Sequence, residues 1–282
     1  MKLYKRAAAL ILTAATLLSL APPVSAEGDR VTISSAKEFY ALVQNCTRDV
    51  WSQGVTVELT ADLDLSGSDF QPIPIFQGTF HGNGHTIRGI TYDHKGSTLG
   101  LFRTLTESAV VEGLCVEGLL EPQGSASQLG LLAGENYGAI RSCSAKGTVS
   151  GQEDVGGLVG VNGETGRIEG SSSQVQISGV TNVGGIAGQN LGTLDRCINT
   201  GVLNPDPDQE IPTSVGGIAG LSRGTIQSCS NSGEIGYQHL GYNMGGIVGL
   251  QSGSVLQCSN TGKVWGRKDV GGIVGQFEPN AE

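Results

Sequence analysis

The stretch Val155-Gly156-Gly157-Leu158-Val159-Gly160 returns as "VGGIAG" at 183–188, "VGGIAG" at 215–220, "MGGIVG" at 244–249 and "VGGIVG" at 270–275. A glycine-rich hexapeptide repeated in this way either cradles a ligand or marks one corner of a coil that stacks on itself. Aligning the copies, and two looser ones upstream, places unit starts at Leu99, Leu129, Val155, Val183, Val215, Met244 and Val270, at spacings of 30, 26, 28, 32, 29 and 26 residues. Apolar columns recur inside each unit. One follows the double glycine (Phe102, Leu132, Leu158, Ile186, Ile218, Ile247, Ile273), and a second is Val111, Ile140, Ile168, Leu194, Ile226 and Val255. Three residues on comes Leu114, Cys143, Ser171, Cys197, Cys229, Cys258, and six further Leu120, Val149, Ile177, Leu203, Ile235, Val264. Short alternating apolar pieces separated by Gly, Asn and Ser are strand-and-turn signals, too brief for helices. Each unit therefore reads as one coil of about three short strands. A unit that small buries an apolar face only by stacking at the ~4.8 Å strand spacing, which aligns equal columns into a continuous core. The fold class predicted is all-β, a parallel β-helix. The glycines then serve sharp bends or positive φ. A dinucleotide cradle would need G-x-G-x-x-G leading from a strand into a helix, and no helical pattern follows them.

Composition agrees. Glycine reaches 45 of 282 residues and aromatics only 5%, which suits narrow layers of small aliphatics. Lys2, Lys5 and Arg6, the apolar run "AAALILTAATLLSLAPP" and Val24-Ser25-Ala26 read as a secretory signal peptide over residues 1–26. The expected localisation is extracellular, secreted or at the cell surface. Removing those three bases from the 17 leaves 14 against 26 acidic residues, a net charge of −12. That argues against nucleic acid and anionic membranes as partners. No later segment approaches the ~18 apolar residues of a membrane span, so no membrane insertion is expected.

The stretches "VGGLVGVNGETGRIEGSSS" (155–173), "VGGIAGQNLGTLDRCINTG" (183–201) and "VGGIAGLSRGTIQSCSNSG" (215–233) resemble the GLUG-type repeats of bacterial surface proteins. The upstream "VTVELTADLDLSGSDFQPIPIFQGTFHGNGHTIRGI" (55–90) is similar to the segment that commonly precedes them, so the resemblance spans roughly residues 31–282. It implies an extracellular right-handed β-helix, adhesin-like, of the kind also found attached to IgA-cleaving metallopeptidases. It implies no catalytic residues, because the shared motif is structural.

Residues 27–56 read as an N-terminal cap and 57–282 as the β-helix. Within the cap, Ser35 and Glu38 form a capping box, and Phe39, Leu42 and Val43 share one face, predicting a short helix over the first coil. At the other end Phe277 and Pro279 are the candidates for a plug, the alternatives being a fragment or association through that end. No wall-sorting signal is expected at this end.

Several motifs resolve into structural positions. Four of six cysteines, Cys143, Cys197, Cys229 and Cys258, occupy one column, which argues for small buried residues over disulfides; Cys115 lies one position off it and Cys46 in the cap. Gly220-Leu221-Ser222-Arg223-Gly224 matches the nucleophile elbow G-x-S-x-G, but Ser222 shares its column with Asn136, Asn162, Asn190 and Gln251, so it is read as a turn position. His81 and His85 are four apart on a strand and turn, a spacing that does not put both on one face. No metal and no cofactor are expected. Asn45-Cys46-Thr47 matches a glycosylation sequon.

The variable part of the repeat carries the functional expectation. From the last apolar column to the next coil the connections run 9, 6, 6, 12, 9 and 6 residues, so insertions accumulate at one edge, commonly the binding face of repeat scaffolds. Three consecutive coils place "NPDPDQEIPTS", "GYQHLGYN" and "WGRKD" there. Tyr237, Tyr242 and Trp265 with His239, Arg267 and Asp208 offer aromatic faces and polar partners suited to a sugar or an extended peptide. The expected partner is an extracellular glycan or a host or cell-surface glycoprotein, and the expected function is non-enzymatic binding or adhesion. A weak calcium site at Asp206, Asp208 and Glu210 is a further candidate. The alternatives are a carbohydrate-active enzyme of the β-helix lyase or hydrolase type, for which Asp62 and Asp64 are the nearest carboxylate pair, and a purely structural stalk.

Overall fold

The computed structural model describes residues 30–48 and 50–278. The signal peptide read at 1–26 and Pro279 lie outside the described residues. The chain winds as a parallel β-helix whose walls are four sheets of six, eight, nine and eight strands, with the inter-coil strand pairs parallel. One coil illustrates all of them: Thr181–Gly184 lies in the first wall, Ala187–Asn190 in the second, Thr193–Asp195 in the third and Ile198–Asn199 in the fourth.

Four strands per coil, rather than the three expected, arise because the glycine hexapeptide is itself a corner. The first-wall strand ends at Gly184, Gly185-Ile186 turns, and the second-wall strand starts at Ala187. The hexapeptide glycines bend the chain without positive φ. They are required by close approach: a Cβ on Gly185 would collide with the carbonyl oxygen of Gly217 on the next coil and with the Asn199 carboxamide. The left-handed conformation falls on the residue just before the hexapeptide. Thr98, Gln128, Asp154, Asn182, Ser214, Asn243 and Asp269 all have φ between 52° and 60°, and most are Asn, Asp or Ser, whose short polar side chains tolerate this region best among non-glycines.

The register reproduces the predicted columns. Val111, Ile140, Ile168, Leu194, Ile226 and Val255 stack in the third wall, and Leu120, Val149 and Ile177 stack in the fourth, continued through Leu203, Ile235 and Val264. One position shifts: Phe102 pairs with Ala133, not Leu132. The core is small and aliphatic through the C-terminal coils, but Phe76, Phe80 and Phe102 cluster in the N-terminal ones, with ring centroids 5.4–6.2 Å apart.

Two polar columns run inside the solenoid. In the second wall Asn136 Nδ2 donates to Asn162 Oδ1 (2.8 Å), Asn162 to Asn190 Oδ1 (2.9 Å), and Asn190 to Ser222 Oγ (3.1 Å). In the fourth, Asn199 donates to Asn231 and Asn231 to Asn260, both at 2.8 Å. All but the half-buried Asn260 are buried, and each is satisfied by its neighbours along the axis, as buried amides must be. Ser222 is thus a buried ladder member and not an exposed nucleophile.

The N-terminal end is closed by the helix Ala36–Asn45, which buries Phe39, Leu42 and Val43. The Ser35 hydroxyl caps it by accepting from Glu38 N at 3.4 Å. The Glu38 carboxylate reaches back to the Ser34 N–H at 2.8 Å, and this bond is the main reason its pKa is lowered. The Tyr40 hydroxyl shares a 2.8 Å hydrogen bond with Ser68, tying the helix to the first coil. At the far end Phe277 is 70% exposed and plugs nothing among the described residues; bonds of 2.9 and 3.2 Å from Arg223 to Glu278 hold the chain there.

All six cysteines are free. Cys143, Cys197 and Cys229 are buried as expected, while Cys258 is half-buried. Cys197 N donates to Cys229 Sγ at 3.3 Å, one coil on, and burial pushes the Cys143 thiol up to about 12.

A pH-dependent term sits in the left-handed column. Asp154 is half-buried and accepts from Asn182 Nδ2 at 2.9 Å; burial raises its pKa, the Asn182 bond opposing and Glu153 adding to the rise. The folded chain therefore holds this proton more tightly than the unfolded one, and the stability so gained is lost as pH rises above about 4 through the raised value. Asp154→Asn, which suits left-handed φ, is expected to remove that loss and to stabilise the protein at pH 7 by less than about 1 kcal/mol, the partly solvated group being screened. Thermal midpoints at pH 4 and 7 check this; an equal loss between the two pH values in both proteins would refute it.

Candidate functional site

The corner between the fourth wall and the next coil's first wall carries the variable connections. Its base is fixed by Asn204, buried at φ 48°, whose carboxamide accepts from Gly179 N (2.8 Å) and donates to Gly179 O (3.0 Å) on the preceding coil. The long connection 205–212 departs from this clamp and returns at Pro212, whose carbonyl accepts from Tyr242 N at 3.0 Å. Within it Asp206 Oδ1 accepts from Asp208 N at 2.9 Å, an Asx turn. The next connection folds back on itself: Leu240 N donates to Tyr237 O at 3.2 Å with His239 at φ 61° on the turn. Trp265 N is held by Ile235 O at 2.8 Å.

These corners enclose a cavity of about 300 Å³ lined by Val202, Pro205, Glu234, Tyr237 and Trp265. The indole is oriented by its Nε1–H, which donates to Glu234 Oε1 at 2.5 Å, and Lys263 Nζ stands 5.9 Å from its ring centroid. Tyr237 is 43% exposed. Of the six residues singled out by sequence, Tyr237 and Trp265 are brought together. Tyr242 and Arg267 form a separate pair, the guanidinium 5.9 Å from the ring centroid. His239 and Asp208 are exposed on their turns and line no cavity described here. Sequence reasoning passed over Glu234 and Pro205; Glu234 stands one residue before the apolar column at Ile235, a position whose outward side chain gives no pattern.

A second cavity of about 190 Å³ lies across the same long connection, lined by Ser150, Gln152, Ser178, Gln209 and Glu210 among others. Gln209 Nε2 donates to Asn204 O at 3.1 Å, while its Oε1 is shielded from solvent and has no hydrogen-bond partner among the described residues. Such an orphan costs about 1–3 kcal/mol. Asp206, Asp208 and Glu210 do not converge as a calcium site: among the described residues no group of three His, Cys, Asp or Glu side chains is arranged to hold a metal ion.

The outward face of the third wall carries a row of titratable groups. Glu58, His81, Glu112, Arg141 and Glu169 succeed one another in register. His81 Nδ1 is 2.7 Å from Glu112 and its Nε2 4.0 Å from Glu58, whereas His85 faces Asp62 at 3.2 Å. The two histidines thus take different partners. Glu58 is held down by Asn83 first and Arg30 second. Asp64 is lowered to about 2 by the Ser66 hydroxyl and N–H and then by Arg88; Asp62 is lowered chiefly by the Thr86 N–H. Both carboxylates of this pair are committed to local turns and ion pairs.

Geometry and register define a parallel β-helix built from glycine-cornered repeats. Residues 125–150 and 151–178 match the GLUG motif, and the apolar columns of those two repeats continue in register through the later coils. The chain is 36% identical over 119 residues to Halomucin of Haloquadratum walsbyi, covering 36% of this chain and 1% of that protein. It is 33% identical over 96 residues to a protein described as "Putative Gly-rich membrane protein" from Evansella cellulosilytica, covering 32% and 11%. The chain thus spans a small part of either curated relative. A crystal structure described as "a putative immunoglobulin A1 protease from Bacteroides ovatus" superposes with a TM-score of 0.56 at 19% identity, over 88% of this chain and 82% of that one; at that identity the likeness is one of fold. No helix among the described residues is long and apolar enough to cross a membrane.

Proposed function

We propose that this protein is an extracellular, surface-associated binding module without enzymatic activity, which uses the loop edge of its β-helix to hold a glycan or the glycan of a glycoprotein. The observation that carries the reading is the cavity between Tyr237 and Trp265 at the edge where connection lengths vary. An indole fixed by Glu234 and a part-exposed phenol supply flat apolar faces, and the carboxylate, Gln238 and backbone groups around them supply hydrogen-bonding partners. That mix matches amphipathic sugar rings. The names of the two relatives, a halomucin and a Gly-rich membrane protein, support a place at the cell surface. The GLUG repeat accounts for the conspicuous glycines, and the buried state of Ser222 removes the nucleophile-elbow reading.

The test is saturation binding to immobilised glycans and glycoproteins, beside a Tyr237→Ala/Tyr242→Ala/Trp265→Ala variant with unchanged circular dichroism. The expected loss is at least tenfold, on the order of that for buried aromatic anchors. Full binding by the variant would move recognition off this edge, and product release dependent on a carboxylate would replace binding with catalysis.

A further inference from the structure

The two cavities of the loop edge share one wall. Pro205 closes the cavity of Tyr237 and Trp265, and Gln209 and Glu210 of the same connection close the other. Register fixes their separation. Ile177, Leu203, Ile235 and Val264 stack on successive coils, so Ser178 and Gly236, one residue further on, are two coils apart, about 10 Å at the ~4.8 Å strand spacing. The cavities therefore follow one another along the coil axis, separated by the 205–210 ridge. Each has room for about one sugar ring and neither for a larger compact ligand.

Building on the function proposed above, we infer that the edge is a two-subsite groove for a linear, uncharged glycan lying along the solenoid axis. Trp265 and Tyr237 form an aromatic subsite, and Gln209 forms an amide subsite across the ridge. The second subsite is polar: Ser150, Gln152, Ser178 and Gln209 line it with hydroxyls and amides, and Gln209 Oε1, shielded from solvent, has no hydrogen-bond partner among the described residues. Rotation of the Gln209 carboxamide into the cavity would bring that acceptor to a hydroxyl or acetamido N–H of a sugar, the donor it lacks. Asp206, Asp208 and Glu210 on the ridge, in a chain of net negative charge, disfavour uronates and sulfated sugars. An extended polypeptide would fit the length, but its specificity would call for apolar side-chain pockets at both ends, and among the described residues Val180 is the one apolar side chain lining the second cavity.

Calorimetric titration of the protein with cello- and chito-oligosaccharides of two to six units tests this. Affinity in at least one series is expected to climb about tenfold from dimer to tetramer, the worth of one added neutral hydrogen bond with its contacts, and then to level off. Gln209→Leu is expected to return the tetramer to the dimer's affinity while leaving the dimer unchanged, and Trp265→Ala to abolish both. Dimer affinity undiminished but equal at every length, or a tetramer indifferent to Gln209→Leu, would overturn the second subsite and leave edge binding standing. Equal affinity for oligouronates would overturn the uncharged class. Failure of both series to bind, with glycoproteins still captured in a Trp265-dependent way, would overturn the linear-glycan assignment alone; failure of both assays would overturn edge recognition itself.

Discussion

Alanine at Gly185 is expected to cost at least about 3 kcal/mol, the upper range for forced overpacking, or to prevent folding altogether. Its new methyl group meets backbone on the neighbouring coil and the buried Asn199 amide, neither of which is the movable tip of a flexible side chain. The same change at Gly272, the equivalent position of the last copy, meets nothing within 4 Å and is expected to stay within about 1 kcal/mol. Urea unfolding of the two variants checks the pair. Equal effects would mean that the hexapeptide glycines act through local conformation and not through coil-to-coil approach.

A comparable loss, about 3 kcal/mol, is expected for Asn162→Ala. Asn162 accepts from Asn136 and donates to Asn190 and to Gly166 O. Truncation leaves a donor on one coil and an acceptor on another, both buried, at about 1–3 kcal/mol each. A thermal melt resolves so large a shift, and hydrogen exchange should show the loosening concentrated in the 136 and 190 coils. A loss under about 1 kcal/mol would mean that the amide column is ornamental to stability.

The inward half of this architecture was legible because inward residues repeat. The columns through Ile140 and Val149, the cysteine column and the Asn-to-Ser222 equivalence all follow from a period imposed by stacking. Phe102 was misplaced by one residue because its coil has one residue fewer in the turn before it, three steps from Leu99 against four from Leu129 to Ala133, and apolar neighbours on both sides hide the slip. The fourth strand was missed because a corner made of Gly185 and Ile186 looks like strand: the turn is achieved by close approach, without the Pro or Asn-Gly signals of ordinary turns. The left-handed positions were missed for a related reason, since Gln128, Asp154 and Ser214 carry no glycine to announce them. At the edge, sequence could count insertions and find aromatics. It could not find Glu234 or Gln209, whose roles depend on which residue of the next coil faces them.

The claim that matters most is that recognition occurs on this edge and not on the charged third wall, where His81, Glu112 and Arg141 border a depression of about 340 Å³. Hydrogen exchange with and without a saturating neutral oligosaccharide decides between them. Protection confined to 204–212, 236–241 and 265–267 is the predicted result. Protection over 79–83, 110–113 and 139–142 instead would contradict the account and make the third wall the working surface.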